Sequence, residues 1–463
     1  MSNHVGDTTK TESLDFHEIE SMAWKKHQSR RFHQERGLCL NFTSHKAKDI
    51  KTWALIIITG SFIACTGAVV ILLTFNLYDW KFQQFQQQLN LKNTAPIFFK
   101  FILYNLFFAA LAGLLCMLSP PAEGSGIPEL RAFLNGVKIE NFLRFSVLIA
   151  KVIGMSLSVA SGLPLGKEGP MIHVGSIIGG IISQGLPFSC GYDIRWANFQ
   201  DFRNDVTKRD FITIGAAAGV AAAFRAPIGG ILFTLEEGAS FWSLPITISA
   251  FICAAISQLT TSLIFADVSG GSQGTFAFGQ FDTLVDGRNN YYIYELVIFI
   301  LIGALGGLVG ALYNHINFRM TLYRKKVLNG VLWKRFLELL ALTLLMSLVS
   351  FILPLMWQVC TPVPSETFTQ QEAYLAKQLV QMQCKEGEYN ELASLYLTTS
   401  DIAMQQLFHF RELDNFGHSS LGFIPLLLFL VPYFFLAAIT PGILAPAGLF
   451  IPTLFTGAAM GRM

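Results

Sequence analysis

Long stretches of this chain carry no Asp, Glu, Lys or Arg, and nothing else in the sequence restricts its fold as much. Residues 52–78, 101–122, 169–192, 238–266, 296–318, 339–365 and 415–461 are such runs. Each exceeds the roughly 20 apolar residues that cross a bilayer as a helix. Burying that many all-apolar helices in one water-soluble core is the competing arrangement. Composition argues against it: only 14% of the 463 residues are charged, against about 25% in soluble domains. High hydrophobicity excludes disorder, which needs the opposite balance. A net charge of +2 gives no global basic field for nucleic acid. The expectation is an all-α, polytopic membrane protein in a lipid bilayer.

Glycine and proline interrupt the apolar regions at Gly162, Pro164, Gly166, Gly169 and Pro170, and again at Gly442, Pro446, Gly448 and Pro452. Broken helices are tolerated in a bilayer where they are buried in protein or line a cavity. Transporters use them to aim half-helix ends at an ion. The pattern points to passage of an ion or solute.

Residues 1–50 read as a polar, cytoplasmic N-terminal tail, with no apolar region of the kind a cleaved signal peptide needs. Eight basic residues (Lys25, Lys26, Arg30, Arg31, Arg36, Lys46, Lys48 and Lys51) precede the first span at Trp53. The positive-inside rule places such a stretch in the cytoplasm, where the sequon at Asn41 would stay unmodified. The seven cysteines show no zinc-site spacing. Cys360 and Cys384 bracket a polar loop between two membrane regions. If that loop is luminal, a disulfide between them is expected.

Three segments repeat one pattern of glycines, then proline, then an apolar helix: Gly124 to Glu129, Gly166 to Pro170, and Gly448 to Pro452. Proline suits a helix start because its missing N–H would be unpaired there. Glycine lets backbone approach a ligand closely. A helix N-terminus offers free N–H groups and partial positive charge. Three converging termini would make an anion site without a buried full cation. Weak binding of this kind allows release, which conduction requires. Glu168 stands within the second motif, and an ionisable residue inside a membrane is a functional candidate by default. Physically, its carboxylate would compete with an anion for the same N–H donors, and protonation would free the site. Gly162 to Lys167 is not a P-loop: three residues separate its glycines and Glu168 stands where Ser or Thr is required. No nucleophile–base pair or metal cluster occupies the spans, so an enzyme is not expected.

In this order the three motifs resemble the CLC family of voltage-gated chloride channels and chloride/proton exchangers. The likeness continues through Lys208 to Phe211 and Ala226 to Glu237, and covers roughly residues 50 to 463. It implies an inverted repeat of broken helices, with residues 51–463 as the transmembrane domain. It implies a chloride-binding set of Gly124, Ser125, Lys167, Glu168, Gly169, Leu449 and Phe450. The Ser125 hydroxyl and the Leu449 and Phe450 amides would hold the central ion. The Gly124 and Ser125 amides would face the cytoplasmic side, and Lys167 through Gly169 would frame the outer side. Glu168 becomes the gating glutamate and Glu237 the proton glutamate, which favours exchange over simple conduction. His173 reads as a hydrogen-bonded packing residue.

Glu236 to Trp242 and Cys384 with Glu388 to Asn390 resemble the late-endosomal and lysosomal branch, while Arg225 is similar to plant vacuolar members. The resemblance therefore implies a chloride/proton antiporter of an endosomal, lysosomal or vacuolar membrane, a homodimer when full length. It implies no cofactor beyond the transported chloride and protons, and no nucleic-acid partner. A plasma-membrane location is the alternative. The second half breaks off at Met463, so the last helices, a late tyrosine and the CBS domains are expected to be missing by truncation. A chloride channel without proton coupling, or a short non-conducting regulatory form, are the alternative functions.

Overall fold

The computed structural model describes residues 44–89, 94–184, 202, 204–269, 293–328, 330–363, 375–409 and 421–463. Five of the seven uncharged runs form helices long and apolar enough to cross a membrane. They are α1 (Ser44–Leu89), α2 (Thr94–Leu118), α8 (Leu244–Ser269), α9 (Glu295–Val327) and α10 (Leu332–Met356). A helix is what such a run must form in lipid, because it satisfies every backbone group internally.

Two runs behave differently. Residues 169–192 supply α5 (Glu168–Ser183), of 16 residues. Residues 415–461 divide into α13 (Phe423–Ile439) and α14 (Phe450–Arg462), of 17 and 13 residues. All three fall short of the roughly 20 residues a full span needs. Among the described residues, shorter α-helices are α3 (Ile127–Leu134), α4 (Phe145–Ala160), α6 (Asp205–Phe224), α7 (Pro227–Phe233), α11 (Glu391–Tyr396) and α12 (Ser400–His409). Among the described residues the departure from helix is a two-stranded antiparallel sheet, β1 (Cys360–Pro362) with β2 (Glu388–Asn390). Cys360 and Cys384 are joined by a disulfide beside it.

The helix that holds the first span begins before it, since the apolar span itself runs Asp49–Gln84. α1 begins at Ser44, so Lys46, Lys48 and Lys51 belong to the first helix. Lys25, Lys26, Arg30, Arg31, Arg36 and Asn41 lie outside the described residues.

Two large apolar cores form, one on each half of the sequence. The first joins α1, α4, α5, α6, α7 and α8 through residues such as Ile63, Val174 and Ala222. The second joins α9 to α14 through Tyr313, Phe429 and Phe455. α2 belongs to the first half by sequence, yet its Ile97 and Phe101 pack in the second core. The halves therefore interlock and are not separable domains. The same succession recurs in both: α4, an irregular loop and α5 in one, α13, an irregular loop and α14 in the other. Each loop opens on a glycine in the left-handed region, Gly162 (φ 79°) and Gly442 (φ 91°).

α5 is held by α6 at very short range. A methyl group on Gly175 or Gly179 would run into the carbonyl of Gly215 or Phe211 on α6. Glycine at these positions lets the two helices touch backbone to backbone, which fixes α5 and the residue at its N-terminus.

Lys81 is a feature the uncharged runs give no hint of. It lies just past the first run, 1% exposed. Its ammonium donates to Asn105 Oδ1 (3.0 Å) and to the Ala160 carbonyl at the end of α4 (2.7 Å). Asn105 in turn donates to Ser347 Oγ (2.9 Å). A buried cation is tolerated when it is hydrogen-bonded. This one ties α1, α2, α4 and α10 together.

Candidate anion site and its gate

The three glycine-proline motifs meet at one place. Gly166 and Gly448 form an isolated antiparallel bridge, with each N–H donating to the other's carbonyl at 2.9 Å. α5 and α14 start two residues beyond, at Glu168 and Phe450. The two N-termini are thus related by a local two-fold through the bridge. Gly169 explains why the first motif joins them: a methyl there would sit 3.0 Å from Ser125 Cβ and 3.3 Å from Gly448 Cα. A methyl on Gly169 would require Ser125 and Gly448 to give way by a few tenths of an ångström.

Proline stands differently in the three helices. In α3 it occupies the first turn as Pro128, with Gly126 (φ 79°) as the left-handed residue before the helix. In α5 and α14, Pro170 and Pro452 are third in the helix rather than first. The reason it is accepted is unchanged, since the first four N–H groups of a helix have no partner within it.

Glu168 is 2% exposed, at the positive end of α5. Its Oε2 has no hydrogen-bond partner in the structure and lies against Gly166, where a methyl group would collide with it. A buried carboxylate oxygen without a donor is costly, and such a group is poised to move or to take a proton. Ser125 Oγ accepts from the Ile127 amide at 3.3 Å. Phe450 packs edge-on between Phe224 and Phe233, at centroid distances of 5.6 and 5.3 Å. Leu449 precedes α14 as its N-cap.

The Gly124 amide donates to the Ala445 carbonyl at 3.0 Å. Its contribution is to fasten the first motif to the loop before α14. Glu237 lies outside the cluster, in a π-helical turn (Thr234–Gly238) after α7. Its side chain is half-exposed and stands 3.9 Å from Arg131. His173 is fully buried, stacked on Phe142 and within 2.8 Å of the Lys151 ammonium and 3.1 Å of the Phe142 carbonyl. It supports the site from behind, against Gly126.

Three charged partners of the site escaped sequence reasoning. Lys167 pairs with Asp401 on α12 at 2.5 Å. Arg324 binds Glu338 at 2.6 Å and the Ile439 and Pro441 carbonyls, capping α13. Arg335 binds Glu123. Nothing local marks these pairs, since the Lys167 and Asp401 partners are 234 residues apart. Among the described residues no group of three or more His, Cys, Asp or Glu is placed to hold a metal.

Fold and site together define a polytopic helical membrane protein organised around broken, converging half-helices. Residues 108–463 match the profile described as voltage gated chloride channel, and the chain belongs to that family, the CLC proteins. It is 35% identical over 98% of its length to the human H(+)/Cl(-) exchange transporter 7, covering 54% of that protein. It is 35% identical over 99% of its length to the Arabidopsis thaliana chloride channel protein CLC-c, covering 57% of it. The chain spans about half the length of these curated relatives. A slow cyanobacterial Cl-/H+ antiporter shares the fold at a TM-score of 0.61 and 20% identity, over 89% of this chain and 79% of that one. A eukaryotic CLC transporter does so at 0.59 and 20% identity, over 89% of this chain and 59% of that one.

Proposed function

We propose that this chain moves chloride across a membrane in exchange for protons, with Glu168 as the gate. The observation that carries the reading is the buried Glu168 carboxylate, which leaves Oε2 without a donor where three motif segments converge. Ionised, the side chain occupies the anion path. A proton or a competing chloride displaces it. The Ser125 hydroxyl and the Leu449 and Phe450 amides would hold the central ion, and Lys167 to Gly169 would frame the outer side. Backbone donors and a hydroxyl bind an anion without a full cation beside it, so the ion can leave.

Glu237 would pass protons from the cytoplasmic side, where its half-exposed side chain can exchange with water. Residues 1–50 would form a cytoplasmic tail. An endosomal, lysosomal or vacuolar membrane is the proposed location, and a homodimer is the proposed assembly. The reading needs no resident cofactor, because chloride and protons are the cargo.

The test is reconstitution of the full-length protein in liposomes, with chloride and proton movement recorded together. Uphill proton movement driven by a chloride gradient supports exchange. Chloride flux without it would make the protein a channel.

A further inference from the structure

The three motifs account for Glu168 but not for the ion pair beside it. Lys167 is the residue before α5, and its ammonium reaches across to Asp401 Oδ2 at 2.5 Å. Asp401 is in the first turn of α12, so the contact links the two halves of the sequence. The Lys167 side chain is 13% exposed and that of Asp401 is 40% exposed. The pair therefore connects the residue next to the buried Glu168 with a part-exposed carboxylate on α12. Among the described residues, the charged groups acting on Lys167 are Asp401, Glu168 and Arg225, the last at the C-terminal end of α6.

Two opposite charges thus bear on Glu168. The Lys167 cation favours an ionised Glu168. Ionised Asp401 offsets that cation and holds it away from the gate. A neighbouring charge at a few ångströms moves proton uptake by about one to three pH units, so the balance matters for a gate that works by protonation.

We propose that Asp401 is a positioning residue for the gate: through Lys167 it sets the pH at which Glu168 releases the anion path. The inference rests on the reading of Glu168 as the gate. Loss of the Asp401 charge leaves Lys167 without its ion-pair partner on α12, one residue from Glu168. The ionised, blocking form of Glu168 then persists to lower pH.

The experiment uses the full-length protein in liposomes across a pH series, recording chloride efflux and proton uptake. The variants are Asp401→Asn, Asp401→Glu and Asp401→Asn combined with Glu168→Gln. For Asp401→Asn, the half-maximal pH of chloride efflux is expected to fall by about one unit. Asp401→Glu keeps the wild-type profile. In the Glu168→Gln background, adding Asp401→Asn leaves the pH dependence of efflux unaltered, because the titrating gate is gone. An unshifted half-maximal pH in Asp401→Asn overturns the inference, and so does a slower rate at the same half-maximal pH, which marks a purely structural pair. Chloride efflux without proton uptake in the wild type would instead sink the exchange reading, while the efflux profile still tests Asp401. No chloride movement at all in the wild type would overturn both.

Discussion

Gly166 and Gly448, at the starts of two helices in opposite halves of the sequence, exchange backbone hydrogen bonds of 2.9 Å in both directions. A methyl on Gly448 would lie 3.2 Å from the Gly169 amide and run into the Gly166 carbonyl. Both obstacles are backbone and cannot rotate away. Gly448→Ala is expected to destabilise the protein by about 1–3 kcal/mol, the usual range for forced overpacking. Thermal unfolding in detergent checks this, with Gly457→Ala on α14 as the control, since a methyl there meets nothing within 4 Å. Equal melting temperatures for the two variants would contradict the bridge.

Gly166→Ala should act on the gate as well as on packing. Its methyl would take the place held by Glu168 Oε2, and the carboxylate is a side-chain end that can swing. Chloride flux in this variant is expected to lose much of its pH dependence, measured as efflux from liposomes of the full-length protein. A steep, wild-type profile would mean that Glu168 does not rest against Gly166 in the working protein.

Glu237→Ala separates the two cargoes. Glu237 is half-exposed and apart from the anion cluster, so its loss should spare chloride binding. The expected result is abolished proton movement with some chloride flux remaining. Chloride-driven proton transport that survives in this variant would remove Glu237 from the proton path.

Glu391 gives a pH effect on stability outside the membrane-spanning helices. Burial raises its proton affinity, while hydrogen bonds from Thr361 and the Gly422 amide (2.7 Å) work in the opposite direction. The folded state therefore holds the proton more tightly than the unfolded chain, where glutamate titrates near pH 4.3. Its contribution is fully present below that pH and is lost as pH rises through the higher folded value. Glu391→Gln should flatten this segment of the melting-temperature profile. The same decline with pH in the variant would assign the effect to another group.

The uncharged runs made five membrane-length helices legible, and the motif order made the family legible. Both signals are local, written in consecutive residues. The same reasoning did not show that Lys46, Lys48 and Lys51 continue the helix that holds the first span. Nor did it show that the Gly124 amide is bonded to the Ala445 carbonyl. A motif names the residues that approach a site, but which N–H groups are already bonded depends on segments far away in the chain.

By itself, then, the sequence determined that this chain is helical and membrane-embedded, with Ser125, Glu168 and Phe450 at or just before the starts of broken helices. Lipid leaves an apolar run little choice but the helix, and glycine and proline mark where helices break. Only the tertiary structure decided that Gly169 touches both Ser125 and Gly448, that Lys81 is buried against Asn105 and Ala160, and that Lys167 is held by Asp401. These are contacts between distant segments. They depend on how the two halves interlock, and no local period or propensity encodes that.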